Sequence, residues 1–182
     1  VLITTPLGRV RAARVALAAR LASAAGGHLV GLAPTGLPDV IVTMNTAVPD
    51  AIECTQFSAG LLRQRAESAA RAFEQQAAPA GAASFEARIE VGEPLDAVVR
   101  LGRCCDLVVV GQTDPQTPVD DVARDFPQQV VLHTGTPVLV VPFVGSFGSI
   151  GERVLIAWKD TREAARALHD ALPLLRGAAR VV

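Results

Sequence analysis

The chain has 182 residues, somewhat more than one ordinary domain of about 150. Half of them are hydrophobic, 19% are charged and the net charge is −1, which excludes a wholly disordered chain and leaves no basic excess for nucleic acid or an anionic membrane. With no Tyr, one Trp and six Phe there is no platform for stacking bases, and three Cys, two of them adjacent at Cys104 and Cys105, make no disulfide framework and fit a reducing cytoplasm. No apolar run approaches the ~18 residues that cross a bilayer. The chain opens on Val1-Leu2-Ile3 with neither Met nor a charged leader, which predicts a start upstream and no secretory signal.

Strand-length apolar runs alternate with helical patterns, the signature of a parallel sheet covered by helices. Val1 to Thr5 reads as the first strand. Arg9 to Ala25 follows as an Ala- and Arg-rich helix with Val10, Ala13, Leu17 and Leu21 at helical spacing, and Gly26-Gly27 ends it. His28 to Ala33 is the second strand, and Pro34 to about Ser58, rich in turn formers and without a period, reads as loop. Leu61 to Ala77 is a helix that gathers Leu62, Ala66, Ala69, Ala70 and Phe73 on one face, with Arg63, Arg65, Glu67 and Glu74 toward water. Phe85 to Val91 alternates as a half-buried strand does, and Pro94 opens a short helix through Arg103. Leu107 to Val110, closed by Gly111, has the uninterrupted β-branched character of a central strand. Phe126 to His133 reads as a helix, and Val138 to Val141, between Pro137 and Pro142, as an edge strand.

Residues 143–152 form a linker with three Gly and two Ser, after which the pattern restarts. Val154-Leu155-Ile156 repeats Val1-Leu2-Ile3 at an offset of 153, and Ala164-Ala165-Arg166 repeats Ala12-Ala13-Arg14 at an offset of 152. Arg180-Val181-Val182 falls where His28-Leu29-Val30 stands in the first copy. A repeat this long means two copies of one domain, since solenoid periods run about 20–50 residues. The expected organisation is a domain over 1–142, the linker, and the start of a second, truncated copy over 153–182, too short for a core of its own.

Four segments taken in order carry a family resemblance: Val91-Gly92-Glu93-Pro94, Cys105 to Gly111, Pro137 to Val141, and the second opening Val154 to Trp158. They resemble the universal stress protein family, specifically its tandem two-domain bacterial members. The resemblance implies an α/β fold related to the adenine nucleotide alpha hydrolases: a five-stranded parallel sheet of order 3-2-1-4-5 with helices on both faces. It also implies pairing through the fifth strand. The Pro137–Pro142 edge strand is therefore expected to meet either the chain's own second domain or a homodimer partner.

Many members of that family bind ATP through G-x-x-G-x9-G-[S/T] after the fourth strand, where glycines let backbone N–H groups approach phosphates. Laid on this chain, the motif begins at Gly111 and Gln112, has Asp114 at its second glycine and Arg124 at its third, and ends on Asp125, ahead of Phe126. The spacing is kept and the chemistry is not. A carboxylate 4 Å from a phosphate oxygen repels it by about 4 kcal/mol at an effective dielectric near 20. Arg124 offsets part of this but cannot supply glycine's backbone freedom. The family's nucleoside-contacting Asp after the first strand corresponds to Pro6 here.

Other constellations read as structural. His28, His133 and His169 are far apart and show no metal-ligand spacing, and Cys104-Cys105 reads as packing at a helix end. Asp121 or Asp125 is expected to cap the helix at Phe126, with Asp114 and Asp120 in a solvated acidic loop. No nucleophile elbow, Walker sequence or metal site is present, and no residue is assigned a catalytic role. The resulting expectation is a cytoplasmic stress-response binding or regulatory protein with a degenerate ATP motif, more a binder than an enzyme, engaging an unidentified protein partner. The alternative is an ATP-binding member, with Mg²⁺ accompanying the nucleotide, capable of weak ATPase or nucleotidyl transfer.

Overall fold

The computed structural model describes residues 2–4, 12–36, 51–113 and 124–182, with side chains described from 12–36, 59–113 and 124–182. It divides into two compact units, Val1–Val144 and Gly145–Val182.

The first unit is built from β1 (Leu2–Thr4), α1 (Ala12–Ala24), β2 (Leu29–Pro34), α2 (Ala51–Ala77), β3 (Phe85–Glu90), α3 (Pro94–Gly102), β4 (Val108–Gly111), α4 (Phe126–Thr134) and β5 (Val138–Val141). The strands form one sheet in the order β3-β2-β1-β4-β5. All pairings are parallel: β1 meets β2 with Ile3 opposite Gly31, β1 meets β4 with Ile3 opposite Val109, and β4 meets β5 with Gly111 opposite Val141. A parallel pair needs a crossover, and each crossover brings a helix onto a face of the sheet.

Alternation along the strands then sorts the side chains between two faces. On one face Leu32, Val108 and Val110 pack with Ala97 and Val98 of α3 and Val130 of α4. On the other, Ala33 meets Ala66, Ala69 and Ala70 of α2, and the Phe73 ring lies against Gly31. Phe73 is fully buried and meets Phe85 edge-on, with ring centroids 6.3 Å apart. Val108, Val109 and Val110 are all inaccessible to solvent, as a strand between two others and two helix layers requires.

Three expectations from the sequence are corrected. Helix α2 begins at Ala51, inside the stretch expected to be loop as far as Ser58; the rest of that stretch, 37–50, lies outside the described residues. Gly60 is the one breaker between Ala51 and Leu62, and its cost of about 1 kcal/mol in a helix interior does not stop a helix established by the packed face at Leu62 to Phe73 from propagating back. The buried stripe of α1 is also rotated from the one read by periodicity: Arg14, Val15, Ala18, Ala19 and Ala22 are buried with Leu17, whereas Ala13 and Leu21 are half-exposed. A helix this rich in Ala has little amphipathic contrast, so close approach of small residues to the sheet chose the face. In β3, Phe85 and Ala87 are half-buried as expected, but Ile89 and Val91 are exposed at 40% and 79%. β3 is an edge strand, covered by helix along only part of its length.

The second unit contains β6 (Arg153–Val154), α5 (Arg162–Asp170), a single turn α6 (Leu172–Leu175) and β7 (Arg180–Val181), with β6 and β7 parallel. Thr161 caps α5, its side chain accepting from the Ala164 backbone N–H at 3.2 Å. No side chain of this unit is buried, and Leu155, Trp158 and Val182 are exposed at 79%, 55% and 62%.

Gly31 is required by the Phe73 ring, because a Cβ there would sit well inside van der Waals contact of three ring carbons. Gly31→Ala is expected to destabilise the first unit by about 1–3 kcal/mol, read as a lower urea midpoint. Reducing the ring with Phe73→Leu in the same chain should restore part of the loss.

Candidate functional site

In an open parallel sheet, ligands bind beyond the carboxyl ends of the strands, where the order of connection reverses. Here the chain steps outward from β1 to β2 to β3 and then crosses to β4 on the other side of β1, so the reversal falls between β1 and β4. Gly111 closes β4 at that place, half-buried. The exposed Gln112 prolongs the ladder, its backbone N–H donating to the Val141 carbonyl at 2.7 Å. The Thr113 hydroxyl donates to the Arg124 carbonyl at 3.0 Å and so draws together the two ends of the intervening segment, 114–123, which lies outside the described residues.

Of the six residues carried over from the ATP motif, the structure brings Gly111 and Gln112 near Arg124 through that single bond, while Asp114 lies outside the described residues together with Pro6, Asp120 and Asp121. Arg124 and Asp125 are exposed. Asp125 holds the N-cap position of α4 but does not cap it with its side chain. Its backbone, at φ −94° and ψ 11°, is not in the extended conformation that aims a capping carboxylate at the first free N–H groups. The carboxylate instead accepts from the Gln129 side-chain amide at 2.7 Å. Phe126 turns inward and packs against the cluster around Val108, Val110 and Val130.

The periodicity of α1 did not single out Arg14. It stands in the first turn of α1, is 3% exposed, and lays its guanidinium against Gly111. A Cβ at position 111 would collide with Arg14 Nη1 and come within 3.5 Å of Cζ. Glycine at the end of β4 therefore makes room for the chain's own cation. One signal was present in the sequence: Arg14 and Arg166 are the matching arginines of the repeated Ala-Ala-Arg. Their surroundings differ, because Arg166 is exposed and pairs with Asp170 at 3.1 Å.

The neighbouring strand ends are closed by a second small device. Thr35, buried at the end of β2, donates its hydroxyl to the Gly36 carbonyl at 2.9 Å and accepts from the Gly92 N–H at 3.3 Å. Gly36 and Gly92 form an isolated bridge, and the φ of Gly92, +125°, is one that a side chain rarely tolerates. Pro94 then starts α3 with its fixed φ.

The remaining candidates sit elsewhere. Cys104 is exposed; Cys105 is half-buried, donates its thiol to the Leu101 carbonyl at 3.4 Å, and has its pKa raised by burial. His28 lies at the amino end of β2 with Nδ1 2.7 Å from Ser84 Oγ, and His133 Nδ1 is 2.7 Å from the Gln129 carbonyl oxygen. Among the described residues no group of three His, Cys, Asp or Glu could hold a metal ion, and no helix is long and apolar enough to cross a membrane.

No protein-family model and no curated protein matches the sequence. Solved structures do match. A universal stress protein in complex with cAMP superposes with a TM-score of 0.54 at 23% identity, over 79% of this chain and 95% of that one. The fold is that of the universal stress proteins. The universal stress protein from Archaeoglobus fulgidus in complex with dAMP matches at a TM-score of 0.51 and 18% identity, covering 77% of this chain and 94% of its own. A longer universal stress protein from Archaeoglobus fulgidus DSM 4304 matches 97% of this chain with 62% of its own length, at a TM-score of 0.62 and 14% identity.

The Arg14–Gly111 contact has a measurable consequence. Gly111→Ala is expected to lower the urea midpoint only as far as the end of the Arg14 side chain cannot shift aside, and the same substitution made together with Arg14→Ala should lower it less than it does alone. A double-mutant cycle in urea reads the coupling directly.

Proposed function

We propose that this chain is a binding and regulatory protein of the universal stress type, and that its first unit carries the family's ATP motif in degenerate form. The observation that carries this reading is the pair of substitutions at the switch point. Gly111 survives, but the space it opens is held by Arg14, and exposed Arg124 and Asp125 stand where the motif has glycine and a hydroxyl. Their opposite charges largely cancel toward an approaching triphosphate, and neither residue has glycine's backbone freedom. Nothing in this set activates a nucleophile or a water, so the role is recognition. A cytoplasmic setting accords with it.

A direct titration tests this. ATP with Mg²⁺ is expected to bind the chain with a Kd no tighter than about 1 mM, and incubation should release no phosphate beyond buffer. A micromolar Kd for MgATP, or steady turnover, would overturn the reading in favour of the ATP-binding alternative.

We also read the second unit as the opening of a second copy of the domain. The repeated segments, the parallel β6–β7 pair on either side of α5, and the match of a longer universal stress protein across nearly the whole chain support this. In such a tandem protein the edge strand β5 is expected to pair with its counterpart in the second copy, and in the chain alone with a second molecule. Sedimentation at tens of micromolar should then give a dimer. Val140→Lys, which sets like charges across a self-complementary β5 edge, should return a monomer; an unchanged dimer would remove β5 from the interface.

A further inference from the structure

We propose that Cys104 and Cys105 form a two-thiol chelating site for a trivalent arsenical, at the opposite end of β4 from the switch point. The pair stands in the turn between α3 and the amino end of β4, with both thiols free. The backbone of that turn is tied down: the Cys104 N–H donates to the Leu101 carbonyl and the Cys105 N–H to the Gly102 carbonyl, each at 3.0 Å. Gly102 is itself held, since its carbonyl also accepts from the Thr136 hydroxyl at 3.0 Å and a Cβ on it would press on Val108 Cγ2 at 2.9 Å. Packing accounts for Cys105, which is half-buried against the cluster of Ala97, Val98 and Val108 and donates its thiol to the Leu101 carbonyl at 3.4 Å. It does not account for Cys104, which is exposed beside it.

Spacing sets the chemistry of the pair. Adjacent Cα atoms lie about 3.8 Å apart, short of the roughly 4.4 Å at which ordinary disulfides begin, so a direct S–S bond is strained here. One atom inserted between the sulfurs lengthens the span and relieves that constraint. Among the described residues no third His, Cys, Asp or Glu joins the two, so the set falls short of the four ligands of a structural zinc site. A trivalent arsenic centre needs only two thiols, and soft sulfur suits it. In the exchange the exposed Cys104 sulfur displaces one hydroxyl from a hydrated arsenical, and Cys105 displaces a second. Two As–O bonds break, two As–S bonds form, and each thiol proton leaves with its hydroxyl as water, so nothing is oxidised or reduced. Burial raises the pKa of Cys105, which keeps the proton on its sulfur at neutral pH and protects it from oxidation until the ring closes.

The probe is phenylarsine oxide, added to the whole chain in excess glutathione and read, after desalting, by intact-mass spectrometry and by titration of free thiols. The wild type should carry one phenylarsenic group and lose two of its three thiols. The second As–S bond closes within the chain, so the pair should hold the arsenical about 10²- to 10⁴-fold more tightly than one thiol does. Cys104→Ser and Cys105→Ser should each surrender it to glutathione, whereas Cys54→Ser should retain it. Cys104 is exposed, so Cys104→Ser decides the matter if the half-buried Cys105→Ser does not fold. The hold should also weaken when urea unfolds the chain, because the turn that fixes the backbone between the two residues is then gone. No adduct on the wild type, retention by Cys104→Ser, loss from Cys54→Ser, an intrachain disulfide in place of the adduct, or retention as firm in urea as in buffer overturns the proposal.

Discussion

The β1–β4 pairing is the constraint on which the first unit depends. β4 is hydrogen-bonded on both edges and covered on both faces, so Val108, Val109 and Val110 see no solvent. Burial of that kind leaves no freedom of register, because a one-residue slip would exchange the sides facing α3 and α4 with those facing α1 and α2. Since every pairing is parallel, all strands deliver their carboxyl ends to the same edge of the sheet. The ends of β1 and β4 lie side by side there for no chemical reason of their own. The switch point follows from topology.

At the switch point the residues that meet are charged rather than small. Exposed Arg124 and Asp125 open α4, and from α1 the buried Arg14 lies against Gly111 at the end of β4. Thr113, tied to the Arg124 carbonyl, and Gln112, tied to Val141, keep the β4 end in place.

The second unit makes a useful physical contrast. It has the same strand-helix-strand logic, a well-capped α5 and a parallel β6–β7 pair, yet none of its side chains is buried. Local signals are sufficient for its elements, and a two-stranded sheet with one helix cannot enclose a core. Arg166 shows the difference at one residue: on an exposed helix it meets Asp170 one turn on, an ordinary surface pair worth a few tenths of a kcal/mol in an isolated helix, about 0.3–0.5. Arg14, in the matching place of the first repeat, is enclosed by a sheet and pressed onto Gly111.

Much of this architecture is legible in the amino-acid order alone. The alternation of β-branched runs with helical periods determines an α/β chain, the uninterrupted Val108-Val109-Val110 marks a strand buried on both sides, and the Leu62 to Phe73 stripe identifies the packed face of α2, because each of these is a statement about which side chains leave water. The spacing from Gly111 to Asp125 likewise marks out a candidate segment, by resemblance to a family motif. The sequence could not determine which face of the Ala-rich α1 turns inward, that α2 runs back to Ala51, or that the Asp125 carboxylate turns to Gln129 instead of capping α4. Those outcomes depend on energy differences of a fraction of a kcal/mol locally, which tertiary contacts outweigh. Arg14 is the clearest case: in one dimension it is one arginine among several in a helix, and only the stacking of α1 on the end of β4 brings its charge to Gly111, about a hundred residues away along the chain.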